Sequence, residues 1–331
     1  MASRRESTVG ETERQDLDPL GHSKPLPLVK SFFPMGFPLL MRTGSEDVLG
    51  AAALGWGDFS PCFATPPIEL RVLVCETAAQ PPPAQAPVFR AQGHLLSIVL
   101  DQHNGAVCDL DRSFGYAWLT PAVAAEQAFT SFYFLDGMAY TCLGQKHGTA
   151  LHAACVASNG SGILLVGGPG AGKTSLAWAC CRAGLTFVSD DATWLLWNTG
   201  QPLLAGKPHR MRFRPEGLEL IPELGLLPRL ETIKGPRSFE IRTADVPGLA
   251  VSGQCRPGKI VFLEREPGQA SDLIPADPLE TRRRLAALLP LYEASARQRH
   301  EASVEWLSRD GAVILRYSSL PQAVSKILSL V

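Results

Sequence analysis

The chain has 331 residues, of which 45% are hydrophobic and 19% charged, a composition that builds an ordinary packed core with room for two domains. A net charge of −1 supplies no whole-chain attraction to nucleic acid or to an anionic membrane surface. No apolar run approaches the ~20 residues that a membrane-spanning helix needs.

Residues 1–27 mix both signs of charge with few hydrophobics and lack the apolar stretch of a secretory signal. They read as a disordered tail on a cytoplasmic protein. Residues 28–141 read as a small α+β domain. "LVKSFF" opens it as a strand, and a turn capped by Ser45 leads into a helix with Val48 to Leu54 as its apolar body. "IELRVLVCE" alternates as a strand does, "TAAQPPPAQAPVF" is a proline-rich surface loop, and "HLLSIVLD", "GAVCDLD" and "GYAWLT" are three more strands. A helix then starts near Pro121. The eight cysteines are scattered with no C-x-x-C pair, so they are expected as buried, reduced thiols.

Residues 142–331 form the second domain. "LHAACVAS" and "GILLVG" read as strands joined by the turn "NGSG". A glycine loop follows, then a helix from Lys173, a stop at Gly184 and the strand "LTFVSDD". "ATWLLWN", "HRMRFRP" and "KIVFLER" are further strands. Asp277, Pro278 and Glu280 mark a helix start, Pro290 is expected to kink or split that helix, and a strand "AVILRYS" and a helix "LPQAVSKILSLV" close the chain.

The run Gly167, Gly168, Pro169, Gly170, Ala171, Gly172, Lys173, Thr174 has the G-x-x-x-x-G-K-[ST] spacing of a phosphate loop (P-loop), with a strand before it and a helix after it. Glycines permit the torsions that let successive amides converge on phosphate oxygens, and the following helix presents its positive end. Lys173 is placed to reach the β and γ phosphates and Thr174 to hold Mg²⁺, with Ser175 beside them. Asp190 and Asp191 end an apolar strand seventeen residues beyond Lys173. One can serve the metal, while the other either takes a proton from an incoming hydroxyl or is a solvated turn residue. His152, read as lying on a strand that pairs back toward the loop, can orient or charge-balance a carboxylate.

"LHA" followed by "GILLVGGPGAGKTSLAWACCRAGLTFVSDD" resembles the HPr kinase/phosphorylase family over about forty contiguous residues. The resemblance implies a phosphoenolpyruvate carboxykinase-like α/β core. It implies that Lys173 and Thr174 bind ATP and Mg²⁺, that Asp190 is the base with His152 as its partner, and that Asp191 joins the metal site. Ala153 stands where the family usually has glycine, Ser175 where it has an acidic residue, and the family's downstream signature is not recognisable.

Arg210, Arg212 and Arg214 share a face if "HRMRFRP" is a strand; a solvated edge is favoured over a triphosphate or acidic-peptide contact. Lys234 and Arg237 sit in a loop that can close over substrate. Arg282 to Arg284 read as a solvated helix face, and Trp178, Trp194 and Trp197 as core. The expectation is phosphoryl transfer from ATP to a Ser/Thr hydroxyl of a protein or peptide, with a homo-oligomer possible. A nucleotide sensor and a small-molecule kinase are the alternatives. No N-K-x-D guanine reader and no basic stripe for nucleic acid are present.

Overall fold

The computed structural model describes residues 24–75, 83, 85–197, 199–232, 238–266, 268, 270–289 and 294–331. Most of the expected tail, the Lys234 and Arg237 loop, and Pro290 lie outside them. The chain forms two large mixed sheets and one small antiparallel sheet.

The first sheet has seven strands in the order Leu28–Phe32, Leu39–Thr43, Ile68–Val74, Phe114–Leu119, Gly105–Asp109, Leu95–Val99, Val88–Gln92. Leu39–Thr43 shows the period-two logic: Leu39, Met41 and Thr43 are buried while Leu40 and Arg42 are partly exposed. The helix Glu46–Trp56 and a helical run from Pro121 to Lys146 pack against this sheet. Two strands of this sheet escape the sequence reading. Leu39–Thr43 lies in the stretch taken for a turn, and Val88–Gln92 adds an exposed edge at the end of the proline-rich loop. Ser45 does occupy the N-cap position, but its side chain makes no cap bond, and its own N–H donates to Thr43 Oγ1 at 3.2 Å. The helix near Pro121 is broken into short pieces, with a π-helical turn at Thr130–Leu135, before it settles into Asp136–Lys146.

The second sheet has nine strands. Its main path runs Thr186–Ser189, Ala153–Ser158, Ser161–Val166, Gln254–Arg265, Leu203–Ala205, Thr193–Leu196, Gly148–Leu151, with Ala312–Tyr317 and Asp272–Ala276 added beside Gln254–Arg265. Ser161–Val166 is antiparallel to Ala153–Ser158 and parallel to Gln254–Arg265. Its residues are apolar without alternation because both faces are covered. Ile163 and Leu165 pack toward Leu176 and Ala177 of the helix Lys173–Arg182 and Ile327 of the helix Leu320–Leu328. Leu164 and Val166 pack toward Leu285 and Val304, from the helices Pro278–Ala286 and Ala294–Ser308. The third sheet joins Arg210–Phe213, Phe239–Arg242 and Leu230–Glu231, and sets Arg212 opposite Glu240.

A part-buried carboxylate fastens the first sheet's helices to the second half. Asp136 accepts Trp56 Nε1–H at 2.9 Å and meets Lys207 Nζ at 2.9 Å. The same ammonium lies 3.7 Å from the centroid of the Tyr140 ring. Three residues along, Arg210 donates to the Leu54 carbonyl at 3.1 Å and pairs with Glu240 at 3.3 Å. Among the described residues, no helix is long and apolar enough to cross a membrane.

Candidate functional site

The buried strand Ser161–Val166 ends where the glycine loop begins, and the loop ends on the first turn of the helix Lys173–Arg182. Gly170 and Gly172 both adopt φ of +84°, a region that side chains disfavour. A Cβ built on Gly168 or Gly170 meets nothing within 4 Å, so the loop opens onto free space. A Cβ on Gly172 would come 2.5 Å from Tyr317 Oη, and that hydroxyl donates to the Ala171 carbonyl at 2.5 Å. Tyr317, from the strand Ala312–Tyr317, therefore clamps the loop from beneath. Leu176 N–H is satisfied by the Gly172 carbonyl at 2.8 Å. The amides of Lys173, Thr174 and Ser175 begin the helix and have no intrahelical acceptor, which leaves them for an anion.

Lys173 is turned back on its own loop. Its ammonium donates to the Gly167 carbonyl at 2.7 Å and the Gly168 carbonyl at 3.4 Å, and lies 3.0 Å from His152 Nε2. Burial lowers its pKa, against the pull of Asp191 and Asp190 in the other direction. His152 Nδ1 lies 3.4 Å from Asp191 Oδ1. Burial and then Lys173 lower the imidazole's pKa, so the neutral ring accepts from Lys173 at Nε2 and turns Nδ1 toward Asp191.

The sequence reading placed His152 within a strand, and the structure corrects this. His152 occupies a bend between Gly148–Leu151 and Ala153–Ser158. These two strands join different parts of the sheet: the first pairs with Thr193–Leu196 and the second with Ser161–Val166. The corner frees the ring from the core. Its side chain is 44% exposed, and that of Asp191 is 47% exposed.

The acidic doublet sits on a pinned turn. Ser189 Oγ donates to the Ala192 carbonyl at 2.6 Å, across Asp190 and Asp191. Thr193 Oγ1 donates to the Ala153 carbonyl at 2.8 Å, which ties the turn to the residue after His152. Arg212 contacts both acids: its backbone N–H donates to Asp190 Oδ2 at 2.6 Å, and its guanidinium lies 3.2 Å from Asp191 Oδ2. Asp190 keeps only part of its surface in solvent. Burial pushes its carboxyl up to about 7, with Asp191 and Glu240 raising it further against the Arg212 N–H.

His152, Lys173 and Asp191 are thus joined by direct contacts, and Asp190 joins them through Arg212. Thr174 and Ser175 lie half-buried in the first helical turn, and Pro169 is exposed on the loop. The solvated-edge reading of the arginines does not hold for Arg210 and Arg212, which are ion-paired and part-buried, whereas Arg214 is exposed. The alternation of "HRMRFRP" marked these side chains but not what they would face. Tyr317, Ser189 and Thr193 carried no sequence signal beyond ordinary strand residues. Trp178 and Trp194 are core, while Trp197 is only part-buried and donates to Ser303 Oγ at 2.6 Å.

Thr174 and Asp191 offer hard oxygen donors of the kind Mg²⁺ takes. Among the described residues, no group of three or more His, Cys, Asp or Glu side chains could hold a metal ion. A divalent ion at this loop would need phosphate oxygens and water to complete its shell.

No family model and no curated protein matches the chain. Among solved structures, the HPr(Ser) kinase/phosphatase from Coxiella burnetii is similar at 18% identity and a TM-score of 0.30, over 55% of this chain and 87% of that one. A likeness of that size assigns no role to any residue, and the chemistry follows from the geometry of this chain.

Proposed function

We propose that the protein transfers the γ-phosphoryl group of ATP to a Ser or Thr hydroxyl of a protein or peptide. The arrangement that supports this best is the acidic doublet held by Arg212 next to the His152–Lys173 contact at the glycine loop, with burial raising the Asp190 carboxyl to about 7. A base poised near the working pH is what a hydroxyl nucleophile needs. Metal support alone would be better served by an acid with an ordinary pKa.

In this reading the loop amides and Lys173 hold the triphosphate, and Lys173 leaves the Gly167 and Gly168 carbonyls to do so. Thr174 and Asp191 would hold Mg²⁺, which when bound neutralises charge on the phosphate oxygens. Asp190 takes the acceptor's proton as its oxygen bonds to the γ-phosphorus and the bond to the β–γ bridging oxygen breaks, releasing ADP. His152, neutral, keeps Asp191 oriented. Arg212 fixes the spacing of the two carboxylates.

The test is transfer of label from γ-labelled ATP to arrayed Ser- and Thr-containing peptides. Asp190→Asn is expected to lower the rate at least ~100-fold while the Kd for ATP changes little. Undiminished transfer by that variant would remove Asp190 from the role of base. The tucked Lys173 favours a second reading, a nucleotide-operated switch. It predicts tight ATP binding with a change in shape and no labelled product.

A further inference from the structure

A second concavity lies apart from the phosphate loop and contains none of its residues. It is a cleft of about 1130 Å³ between the first sheet's loops and the helix Ala294–Ser308. Pockets for small ligands are typically about 300–1,000 Å³, so this one has room for a stretch of peptide. Its lining is aromatic. Phe37 stacks on Phe63 with centroids 4.2 Å apart and on His147 at 4.7 Å, and Trp197 and Trp306 add two indoles. Burial and the neighbouring Lys146 lower the pKa of His147, so this ring is a neutral stacking surface.

The charged side chains of the lining are Lys146, Arg299 and Asp111. Asp111 already accepts from Gln145 Nε2 at 3.2 Å. Arg299 donates to the Gln145 carbonyl at 2.6 Å and lies 5.9 Å from the Trp197 ring, without a carboxylate. The Lys146 side chain makes no hydrogen bond or ion pair with any described residue. Two cations without acidic partners among the described residues thus border an aromatic floor. The complementary ligand is an apolar or aromatic side chain flanked by carboxylates.

One buried strand runs between the site and the cleft. The strand Thr193–Leu196 starts just after Asp191 and ends beside Trp197. Six residues of extended chain cover roughly 20 Å. We propose that this cleft docks the phosphoacceptor by an acidic peptide segment bearing an aromatic or large apolar side chain, at least about six residues from the hydroxyl that is modified. The proposal rests on the transferase reading of the loop and doublet.

The test uses the full chain and a labelled peptide in which one Phe lies between two Glu residues and a Ser follows about eight residues later. Binding is read by fluorescence anisotropy, and ATP affinity by titration of a fluorescent ATP analogue. Lys146→Glu is expected to weaken the peptide at least ~tenfold with ATP affinity unchanged, and to improve binding of a peptide with Lys in place of both Glu residues. Among the described residues the Lys146 side chain has no hydrogen-bond or ion-pair partner, so its substitution breaks no such contact; Arg299→Glu should act in the same direction. Equal peptide binding by wild type and Lys146→Glu overturns the proposal. So does equal affinity of wild type for the Lys-flanked peptide. Sedimentation showing a dimer that Lys146→Glu dissociates assigns the cleft to a second copy instead. Phenylacetate binding more tightly than the peptide assigns it to a small aromatic acid. Anisotropy needs no turnover, so the two readings fail separately: phosphorylation of the Ser without cleft-dependent binding sinks the docking site alone, and cleft-dependent binding with no transfer to any acceptor sinks the phosphoacceptor role.

Discussion

Asp190 is where the site's chemistry and its cost to stability meet. Its carboxyl is raised from 3.8 to about 7, so the folded chain holds that proton more tightly than the unfolded chain does. Between about pH 4 and pH 7, stability therefore rises as pH falls, and the ionised form above pH 7 carries the full penalty. Asp190→Asn removes that penalty. At pH 8 the variant should melt higher than wild type by an amount worth on the order of 1 kcal/mol, after allowance for the water that reaches the group. The gain should vanish toward pH 4, and scanning calorimetry at the two pH values checks both. If Asp190 is the base, as proposed, transfer by the wild type should rise through about pH 7 as the same carboxylate ionises. Gly172 makes a second residue-scale case. Alanine there would combine an unfavourable φ of +84° with a methyl 2.5 Å from Tyr317 Oη. It should cost about 1–3 kcal/mol and abolish ATP binding. In Tyr317→Phe the oxygen is gone, so Gly172→Ala should be less damaging in that background, a coupling that a double-mutant cycle measures.

At the scale of elements, most strands and helices were legible because their period was unambiguous. The helix at Pro278 is the clearest, since Asp277 accepts from Glu280 N–H at 2.8 Å as its sequence requires. Asp277→Ala should lower stability by about 1 kcal/mol in a urea titration. The motif spacing likewise singled out the loop and doublet, and the structure places His152, Lys173 and Asp191 in direct contact. It could not reveal that His152 stands on a corner, because a bend between two short apolar strands has the same composition as one strand. Nor could it show Arg212 reaching both acids. That contact comes from the third sheet lying beside the turn Ser189 to Ala192, a long-range placement with no local signature. The edge strand Val88–Gln92 was hidden by the prolines before it, and every residue of it is exposed, so no buried face announced it.

At the scale of the molecule, the segment from Leu203 to Phe213 holds the halves together. Its Lys207 meets Asp136, its Arg210 reaches the Leu54 carbonyl, and its Arg212 ends at the doublet. Asp136→Ala would leave the Trp56 N–H without its acceptor and take the carboxylate from Lys207. A loss of about 2 kcal/mol is expected, read from the urea midpoint. The loop's own contacts, by contrast, come from Tyr317, Leu263 and the helix Lys173–Arg182 and involve none of these residues. Gentle warming that loosens the first sheet should therefore pull Arg212 off its acids while the glycine cradle stays whole. On the transferase reading, turnover would fade some degrees before nucleotide capture does, leaving a heat-silenced protein still loaded with its donor.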